Sequence, residues 1–240
     1  MQPYFLPYIG YFSLISHSDL WVVFDSAQFM KGGWIERNRV LHPIDGWCYI
    51  KVPLVKHPIS TRILDVNIRS HEPWRERLFA QLVHYKKLAP YYANVTAFLK
   101  DAFDANITGI AALNLHLLVR CCHYIGIPFN YTLFSASPVS AMAVSDADEW
   151  GLQTAKAFGA SEYINAPGGI TFYDSSKYEH AGISLSFLKP RLNRYNQHRV
   201  DFVSGLSIID IMMFNEPSTI RTLLDDVELI RGEITTRDIK

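Results

Sequence analysis

The spacing of hydrophobic positions changes several times along the chain, and each change predicts a different secondary structure element. Short or alternating apolar runs predict strands, and they lie at 20–25, 47–54, 63–68, 129–134, 162–165 and 183–188. Other segments carry apolar residues three or four positions apart, the spacing of one face of a helix. These helical segments lie at 73–88, 91–103, 109–126, 145–159, 207–214 and 218–227.

Several of the helical segments are framed by residues that start or stop helices. Pro73 suits a first helical position, and Thr108 and Ser145 are good N-cap residues. Gly126 suits the left-handed position that closes many helices. The middle of the chain, from about residue 71 to residue 126, is therefore expected to form a helical sub-domain.

The order of the predicted elements indicates the fold class. Strands alternate with helices in the second half, which favours an α/β fold with a mostly parallel, Rossmann-like sheet flanked by helices. We expect a single domain over residues 1–230, which includes the helical mid-section, and a polar tail at 231–240. Ligands of such sheets bind beyond the carboxyl ends of the strands, so candidate chemistry is sought in the segments that follow strands.

Composition and charge exclude several classes of protein. Hydrophobic residues make up 49% of the chain and charged residues 19%, which is typical of a packed globular protein and not of a disordered one. The formal net charge is zero, so nucleic acid is not an expected partner. No apolar run reaches the roughly 18 residues that predict a membrane span. The opening stretch lacks the positive residues of a signal peptide and is interrupted by Pro3 and Pro7.

Cysteine and histidine usage gives two further expectations. The three cysteines are an odd number without the spacing of a disulfide framework, which favours reduced thiols in the cytoplasm. The nine histidines show no ligand spacing, so no metal site is predicted. His17, His57 and His71 are interpreted as ordinary polar surface residues.

The opening stretch is the first candidate for chemistry. An extended piece at 2–5 leads through Pro7 to a glycine-containing turn and a helix-like segment, whose N-terminus would favour an anion. The arrangement resembles the HxGH turn of nucleotidyl-transfer enzymes, with tyrosines in place of the histidines. The alternative is an aromatic plug over the core, and both interpretations stay open. The candidate substrate-binding residues here are Gln2, Tyr8, Gly10 and Tyr11.

The segment at 24–40 concentrates cations around a tryptophan and a glycine pair. In an extended segment Arg37 and Arg39 share one face, and two guanidinium groups on one face match the geometry of phosphate or carboxylate. The alternative is a solvated hairpin with ordinary surface charges. The candidate catalytic residues are Asp25, Lys31, Arg37 and Arg39, and the candidate binding residues are Trp34 and Asn38.

Two later loops also carry polar groups. The Pro-Gly-Gly turn after the strand at 162–165 could present backbone amides to an anion or a sugar, or could be a plain turn. Asp210 lies on an otherwise apolar helix and must find a partner such as an arginine or a backbone donor, so a structural ion pair is favoured over catalysis. The candidate substrate-binding residues of these loops are Asn165, Gly168, Gly169, Tyr195, Asn196 and Gln197.

Taken in order, these segments resemble the WbqC-like family. The matching motifs extend from Met1 to about Ile230, and they are MQPYFLPYIGYF, D-x-W-V-V-F-D, F-x-K-G-G-W-I-x-R-N-R-V, Y-I-N-x-P-G-G, F-L-x-P followed by Y-N-Q, and L-S-I-I-D-I-M-M-F-N. Two departures stand out. Relatives carry a short apolar strand before the first motif, so that strand is expected to be missing or shortened here. Glu36 stands where asparagine is common and adds a negative charge beside the proposed anion site.

The resemblance implies a cytoplasmic bacterial protein encoded among genes for O-antigen, lipopolysaccharide or other surface-polysaccharide synthesis. The first functional hypothesis is an enzyme that transfers an acyl or aminoacyl group to an amino group of a nucleotide-linked sugar. In this picture the sugar and an acyl or amino-acid donor are the partners. ATP with magnesium is required only if the donor must be activated. A homo-oligomer is left open.

The residue types suggest a role for each candidate. The cations Lys31, Arg37 and Arg39 would stabilise phosphate charge. Asp25 would act as a base or orient the amine, and the residues at 165–169 would hold the sugar. Two alternatives stay open. One is a non-catalytic binding or assembly protein of the same pathway, which the absence of a recognisable nucleophile–base pair favours, and the other is an HxGH-like nucleotidyltransferase.

Overall fold

The computed structural model describes residues 1–142 and 144–231. These residues form, in chain order, α1 (Ile9–Ser16), β1 (Trp21–Val23), β2 (Arg37–Leu41), β3 (Trp47–Lys51), α2 (Trp74–Leu82), α3 (Tyr92–Phe103), α4 (Ile110–Ile125), β4 (Tyr131–Leu133), α5 (Glu149–Ala157), β5 (Glu162–Asn165), α6 (Ser175–His180), β6 (Ser184–Pro190), α7 (Ile208–Phe214), α8 (Pro217–Leu224) and β7 (Val227–Arg231). The predicted polar tail lies outside the described residues, except for Arg231, which ends β7.

The strands of the described residues form three small sheets. β1 pairs in parallel with β4, and β2 pairs antiparallel with β3 in a hairpin. β6 pairs in parallel with β5 and antiparallel with β7. The protein is thus a mixed α/β fold with eight α-helices in the part that the structure describes. A single, mostly parallel Rossmann-like sheet is not confirmed, because β1 and β4 are only three residues long and belong to a different sheet from β5 and β6.

The strand predicted at 63–68 is wrong. Residues Ile63–Asp65 form a turn of 3₁₀-helix. The backbone of this segment bonds to several partners, since Leu64 N–H donates to the Asp25 carbonyl and Ile68 N–H donates to the Thr108 carbonyl. Because these acceptors lie on different segments, the alternating apolar side chains are buried without a continuous strand partner.

Helix positions agree more closely with the sequence pattern. Gly126 adopts φ of 79°, and its N–H donates to the Cys122 carbonyl at 2.9 Å, which closes α4 as a left-handed glycine cap. α5 begins at Glu149, four residues after the predicted N-cap Ser145. The Glu149 carboxylate accepts a hydrogen bond from the Ser145 N–H at 3.1 Å, so the residues between them form a turn before the helix.

The opening segment is held by backbone hydrogen bonds, although it is not a strand. The Met1 amino group donates to the Val22 carbonyl, and the Phe24 N–H donates to the Met1 carbonyl, both at 2.8 Å. Further along, Asn114 of α4 donates to the Pro3 carbonyl at 2.8 Å. The segment is therefore fixed against β1 on one side and against α4 on the other.

Buried apolar residues form two clusters of different size. The large cluster joins α1–α4, α7, α8, β1 and the hairpin. The small cluster is built from the region of α5, α6 and β6, and it consists of Leu152, Ala155, Tyr178, Ile183, Leu185 and Phe187. No helix among residues 1–142 and 144–231 has the length and apolar character to cross a lipid bilayer.

Candidate functional site

A cleft of about 1320 Å³ opens beside β1 and β5. It is lined by Trp21 and Val22 of β1 and by Tyr163, Ile164 and Asn165 of β5. The walls thus include strands from two different sheets. Such a position, where separate sheets and their loops face one space, is typical of ligand sites in α/β proteins.

Asn165 organises a cluster of hydroxyl groups in this cleft. Its side-chain amide donates to the hydroxyl of Tyr163 at 3.0 Å and to the hydroxyl of Tyr173 at 2.7 Å. Its amide oxygen accepts from the Ala166 N–H at 2.7 Å, which fixes the orientation of the side chain. The two hydroxyl oxygens lie 3.3 Å apart. We call Tyr163, Asn165 and Tyr173 the cleft cluster.

The protons on the two tyrosine hydroxyls determine what the cleft cluster can bind. Burial raises the pKa of both Tyr163 and Tyr173, so both hydroxyls keep their protons near neutral pH. Each hydroxyl has one proton to donate, and only one of the two protons can be used in the bond between them. The other proton has no acceptor within the cluster, so the cluster can donate a hydrogen bond to an oxygen atom of a ligand.

The turn after β5 adds backbone to the same wall. Residues Pro167–Gly169 form a turn of 3₁₀-helix, and both glycines line the cleft. A Cβ atom on Gly169 would lie 2.8 Å from the Tyr173 ring, so only glycine allows the ring to pack there. A Cβ atom on Gly168 would meet no atom within 4 Å, so the backbone at Gly168 is open to the cleft.

His17 is exposed, as expected, and it also lines the cleft, which its position in the sequence did not indicate. It follows the last turn of α1, and its Nδ1 lies 2.8 Å from the Ser13 carbonyl oxygen. A carbonyl can only accept, so Nδ1 carries a proton and Nε2 of the neutral ring is an acceptor. His17 precedes β1, whereas ligands of parallel sheets bind beyond the carboxyl ends of the strands. Its polar neighbours gave no signal of a site.

Asp25 follows β1, as predicted, but its carboxylate is engaged by the protein. One oxygen accepts from the Ser135 N–H at 3.0 Å, and the other accepts from the Ser135 hydroxyl at 2.6 Å. The side chain is buried and is not among the residues that line the cleft. Asp25 therefore ties the segment after β1 to the segment after β4, and its catalytic role stays a prediction.

The predicted residues at 31–39 lie on the hairpin or in the turn before it, and they do not line the cleft. The Arg37 Nε donates to the Gly33 carbonyl at 3.2 Å, and Arg39 donates to the Gly205 carbonyl at 3.1 Å. Asn38 faces inward and donates to the Phe5 carbonyl at 3.0 Å. Lys31 and Trp34 are exposed.

The predicted residues of the opening stretch are divided between the cleft and the core. Gln2 lines the cleft, and its carbonyl accepts a hydrogen bond from the buried Tyr11 hydroxyl at 2.6 Å. A Cβ atom on Gly10 would lie 2.6 Å from both Pro190 and the Tyr8 ring. The space that glycine leaves at position 10 is therefore filled by Pro190 and Tyr8 of the protein, and not by a ligand.

Two of the three predicted residues at 195–197, Tyr195 and Gln197, contact Asp210. The carboxylate accepts hydrogen bonds from Tyr85 at 2.5 Å, from Gln197 at 3.0 Å and from Tyr195. The partners of the Asp210 carboxylate are thus neutral side chains and neither an arginine nor a backbone donor, so the expected ion pair is not present in the described residues. Burial raises the pKa of Asp210 to about 6. We call Tyr85, Tyr195, Gln197 and Asp210 the Asp210 network.

The structure therefore separates the predicted site residues into groups. Asn196 lies beside the Asp210 network, and its side-chain oxygen accepts from the His198 N–H at 2.8 Å. The cleft brings together four of the predicted residues, which are Gln2, Asn165, Gly168 and Gly169. The sequence did not indicate Tyr173 or Tyr163, because their hydroxyls meet Asn165 only after β5 and the following turn have folded.

The chain is similar to a mycobacterial protein and matches a family model. An uncharacterized protein of Mycobacterium tuberculosis (strain ATCC 25618 / H37Rv), Rv1507c, is 25% identical over 215 residues, which cover 88% of this chain and 90% of that protein. No solved structure matches the chain. A family model described as the WbqC-like protein family matches residues 2–222. The chain therefore belongs to the WbqC-like protein family.

Proposed function

We propose that this protein is an enzyme of bacterial surface-polysaccharide (O-antigen) synthesis that transfers an acyl or aminoacyl group to an amino group of a nucleotide-linked sugar. The observation that carries this proposal is the cleft cluster, which offers a hydroxyl proton to a ligand oxygen inside a large cleft. The family membership supports the pathway, and the cleft supports the class of substrate.

The size and lining of the cleft suit a ligand of several parts. Sites for small molecules commonly enclose roughly 300–1,000 Å³, and this cleft has about 1320 Å³. Aromatic side chains line it alongside the hydroxyl and amide groups, and they include Trp21, Phe24, Phe134, Trp150 and Phe172. Apolar rings with a few convergent polar groups can hold a sugar, a nucleotide and an acyl donor next to each other.

The residues of the cleft suggest a role for each part of the reaction. The cleft cluster and the open backbone of Gly168 would hold the oxygen atoms of the sugar. The neutral ring of His17 would take the proton that the amine loses as its nitrogen bonds to the acyl carbon. As that bond forms, the bond from the acyl carbon to its leaving group breaks, and the leaving group keeps the electron pair.

ATP with magnesium would enter only to activate a free acid donor. Among residues 1–142 and 144–231, no group of three or more histidine, cysteine, aspartate or glutamate side chains is placed to hold a metal ion. The catalytic roles of Asp25, Lys31, Arg37 and Arg39 stay predictions, since these residues are not part of the lining of the cleft.

A second candidate is a non-catalytic binding or assembly protein of the same pathway. The observation that favours it is the engagement of the predicted catalytic groups by the protein itself. Asp25 is bound to Ser135, and Arg37 and Arg39 donate to backbone carbonyls. An HxGH-like nucleotidyltransferase is the remaining alternative, and it would release pyrophosphate without forming an amide.

Product analysis by mass spectrometry tests the proposal. The purified protein is incubated with a uridine-diphosphate-linked amino sugar and either an acyl thioester or an amino acid with ATP, and binding of the sugar nucleotide is measured by calorimetry. We expect the product mass to rise by one acyl or aminoacyl group. Release of pyrophosphate without that rise would favour the nucleotidyltransferase. Binding without product would favour the second candidate, and absence of binding would refute both transferase and binding protein.

Variants locate the reaction in the cleft. Asn165→Ala and Tyr173→Phe are expected to weaken sugar-nucleotide binding, because each removes part of the cleft cluster. His17→Gln is expected to keep binding and to lose turnover. Tyr131→Phe is a matched control for Tyr173→Phe, since Tyr131 is 41% exposed and lies outside the lining of the cleft.

A further inference from the structure

The outer face of the β2–β3 hairpin carries a second group of side chains that the cleft does not use. Strand pairing places Arg37 opposite Lys51, Arg39 opposite Tyr49 and Leu41 opposite Trp47. Cross-strand partners share one face of a sheet, so these cations and rings lie together. With Trp34 from the preceding turn they form a surface that we call the hairpin face, which consists of Trp34, Arg37, Arg39, Trp47, Tyr49 and Lys51.

The cations and rings of the hairpin face contact each other in a continuous array. The Arg39 guanidinium lies 5.4 Å from the ring centre of Trp34 and 5.1 Å from that of Trp47. The rings of Trp47 and Tyr49 are 4.9 Å apart, edge to face. Arg37 lies 4.2 Å from the Tyr49 ring centre. These distances are within the range of cation–π attraction, so the rings hold the cations in place.

The positive charges of the hairpin face are not balanced by acids in the described residues. Within 1–142 and 144–231, none of Arg37, Arg39 and Lys51 forms an ion pair. Glu36 is next in sequence, and one of its carboxylate oxygens accepts from the Gly32 N–H at 3.0 Å in the turn, but it forms no ion pair with these cations in the described residues. Like charges directly opposite each other destabilise a strand pair, so the folded hairpin holds an unfavourable arrangement that an anion would relieve.

The exposed rings indicate which class of anion can bind the hairpin face. Trp34 is 38% exposed and Trp47 is 41% exposed, so part of each large ring is open for stacking. Guanidinium groups match the geometry of phosphate, and aromatic faces stack on ring-shaped ligands. A ligand that joins a phosphate group to a ring would use both kinds of contact.

We propose that the hairpin face binds a phosphate-bearing ring compound, either a nucleotide or a sugar phosphate. The phosphate lies against Arg37, Arg39 and Lys51, and the ring stacks on Trp47. The two strands are five residues long, about 17 Å, which suits a ligand of one or a few units. A long polyanion is disfavoured because the whole chain has no net positive charge. This surface is separate from the cleft and does not depend on the function proposed above.

Calorimetric titration at low salt with three probes tests the proposal, namely uridine diphosphate, glucose 1-phosphate and inorganic pyrophosphate. We expect one or both of the ring-bearing probes to bind more tightly than pyrophosphate, and the tighter of the two identifies the source of the ring. Pyrophosphate binding that equals theirs would overturn the ring contact. Failure of all three probes to bind would overturn the whole proposal.

Variants assign the binding to this face. Lys51→Glu is expected to lower the affinity for the ring-bearing probe roughly tenfold or more, because it replaces an attractive charge by a repulsive one. The variant should stay folded, since the introduced carboxylate would face Arg37, and circular dichroism checks this. Trp47→Leu is expected to lower the affinity for the ring-bearing probes and to leave the affinity for pyrophosphate unchanged.

A charge-matched control separates specific binding from general attraction. Lys87→Gln combined with Lys100→Gln removes two exposed lysines that lie off the hairpin, and it changes the net charge by the same amount as Lys51→Glu. We expect the control to bind every probe as the unaltered protein does. Equal losses in the control and in Lys51→Glu would show non-specific attraction and overturn the assignment. Asn165→Ala should leave this binding intact, which distinguishes it from binding in the cleft.

Discussion

The Asp210 network and the hairpin face both concentrate polar groups, but they satisfy them differently. In the network, three neutral donors surround one buried carboxylate, so the hydrogen-bonding capacity is used inside the protein. On the hairpin face, three cations lie side by side without an ion pair in the described residues. The network lies in the core, whereas the hairpin face meets solvent.

The difference shows how polar groups that are free to bind a ligand can be distinguished from polar groups that only stabilise the fold. Both regions include predicted site residues, since the sequence predicts catalytic cations on the hairpin and substrate-binding residues at 195–197. The network residues point toward each other and fix the loop at 195–203 over α7, since Gln197 also exchanges hydrogen bonds with Val203. The hairpin residues keep part of their charge available. We therefore expect changes in the network to alter stability, and changes on the hairpin face to alter binding.

The largest effect on the free energy of unfolding is expected from the charge of Asp210. Its pKa in the folded protein is about 6, above the ordinary value of 3.8, because burial disfavours the charged form. The folded state therefore binds the proton more tightly, so the contribution of Asp210 to stability is fully present below pH 3.8 and is lost as the pH rises through about 6. The loss is roughly 3 kcal/mol.

Urea unfolding across this pH window measures that loss. The difference in free energy of unfolding between the unaltered protein and Asp210→Asn should change by this amount between about pH 3 and pH 7. A difference that stays constant with pH would contradict a raised pKa in the folded state.

The next effect is expected from Tyr85→Phe. The Tyr85 hydroxyl donates to Asp210 and accepts from the Leu41 N–H at 2.8 Å, so its removal leaves two buried groups without that partner. We expect a loss of roughly 2 to 3 kcal/mol in the free energy of unfolding at neutral pH. Tyr49→Phe on the hairpin face is the matched control, with an expected change within about 0.5 kcal/mol. Equal losses would remove the contrast between the two regions.

A smaller effect is expected from Lys177→Met, where one cation meets several acids. Its ammonium group lies 3.2 Å from Asp148, 3.2 Å from Glu149 and 3.5 Å from Asp146. We expect a decrease in melting temperature that is smaller than that of Tyr85→Phe and that shrinks at high salt, because partly exposed ion pairs are screened. A decrease that is independent of salt would indicate lost packing instead of lost charge.

The smallest effect, and the one of opposite sign, is expected from Lys51→Glu. The change replaces the like-charge pair with Arg37 by an attractive pair, and it should raise the free energy of unfolding by about 0.5 kcal/mol. Thermal unfolding of the variant and of Lys87→Glu, an exposed site off the hairpin, measures the gain. Unchanged or lower stability in Lys51→Glu would mean that the cations are already balanced.

Much of the secondary structure could be predicted because its causes are local. α3 was predicted at 91–103 and is found at Tyr92–Phe103, since its apolar spacing and flanking residues define a helix by themselves. Gly126 was expected to close α4 and does so. The strand predicted at 63–68 failed because apolar alternation does not reveal whether a neighbouring strand is present.

The candidate site could be predicted only in part, because its geometry depends on distant segments. The sequence showed that Asp210 needs a partner, but Tyr85 is 125 positions away and only folding brings the two together. Asn165 was singled out from its turn, whereas its partner Tyr173 gave no signal. The cleft is lined by β1 and β5, which belong to separate sheets and lie far apart in the chain.

The amino-acid sequence by itself determined the mixed α/β class, most of the helices, the placement of Arg37 and Arg39 on one face of a strand, and the membership of the WbqC-like family. These properties follow from periodicity, capping residues and motifs, all of which act over a few positions. Only the tertiary structure decided which strands pair, which charges are satisfied and where the cleft opens. Those outcomes depend on contacts between residues far apart in the chain, whose pairing local preferences do not specify.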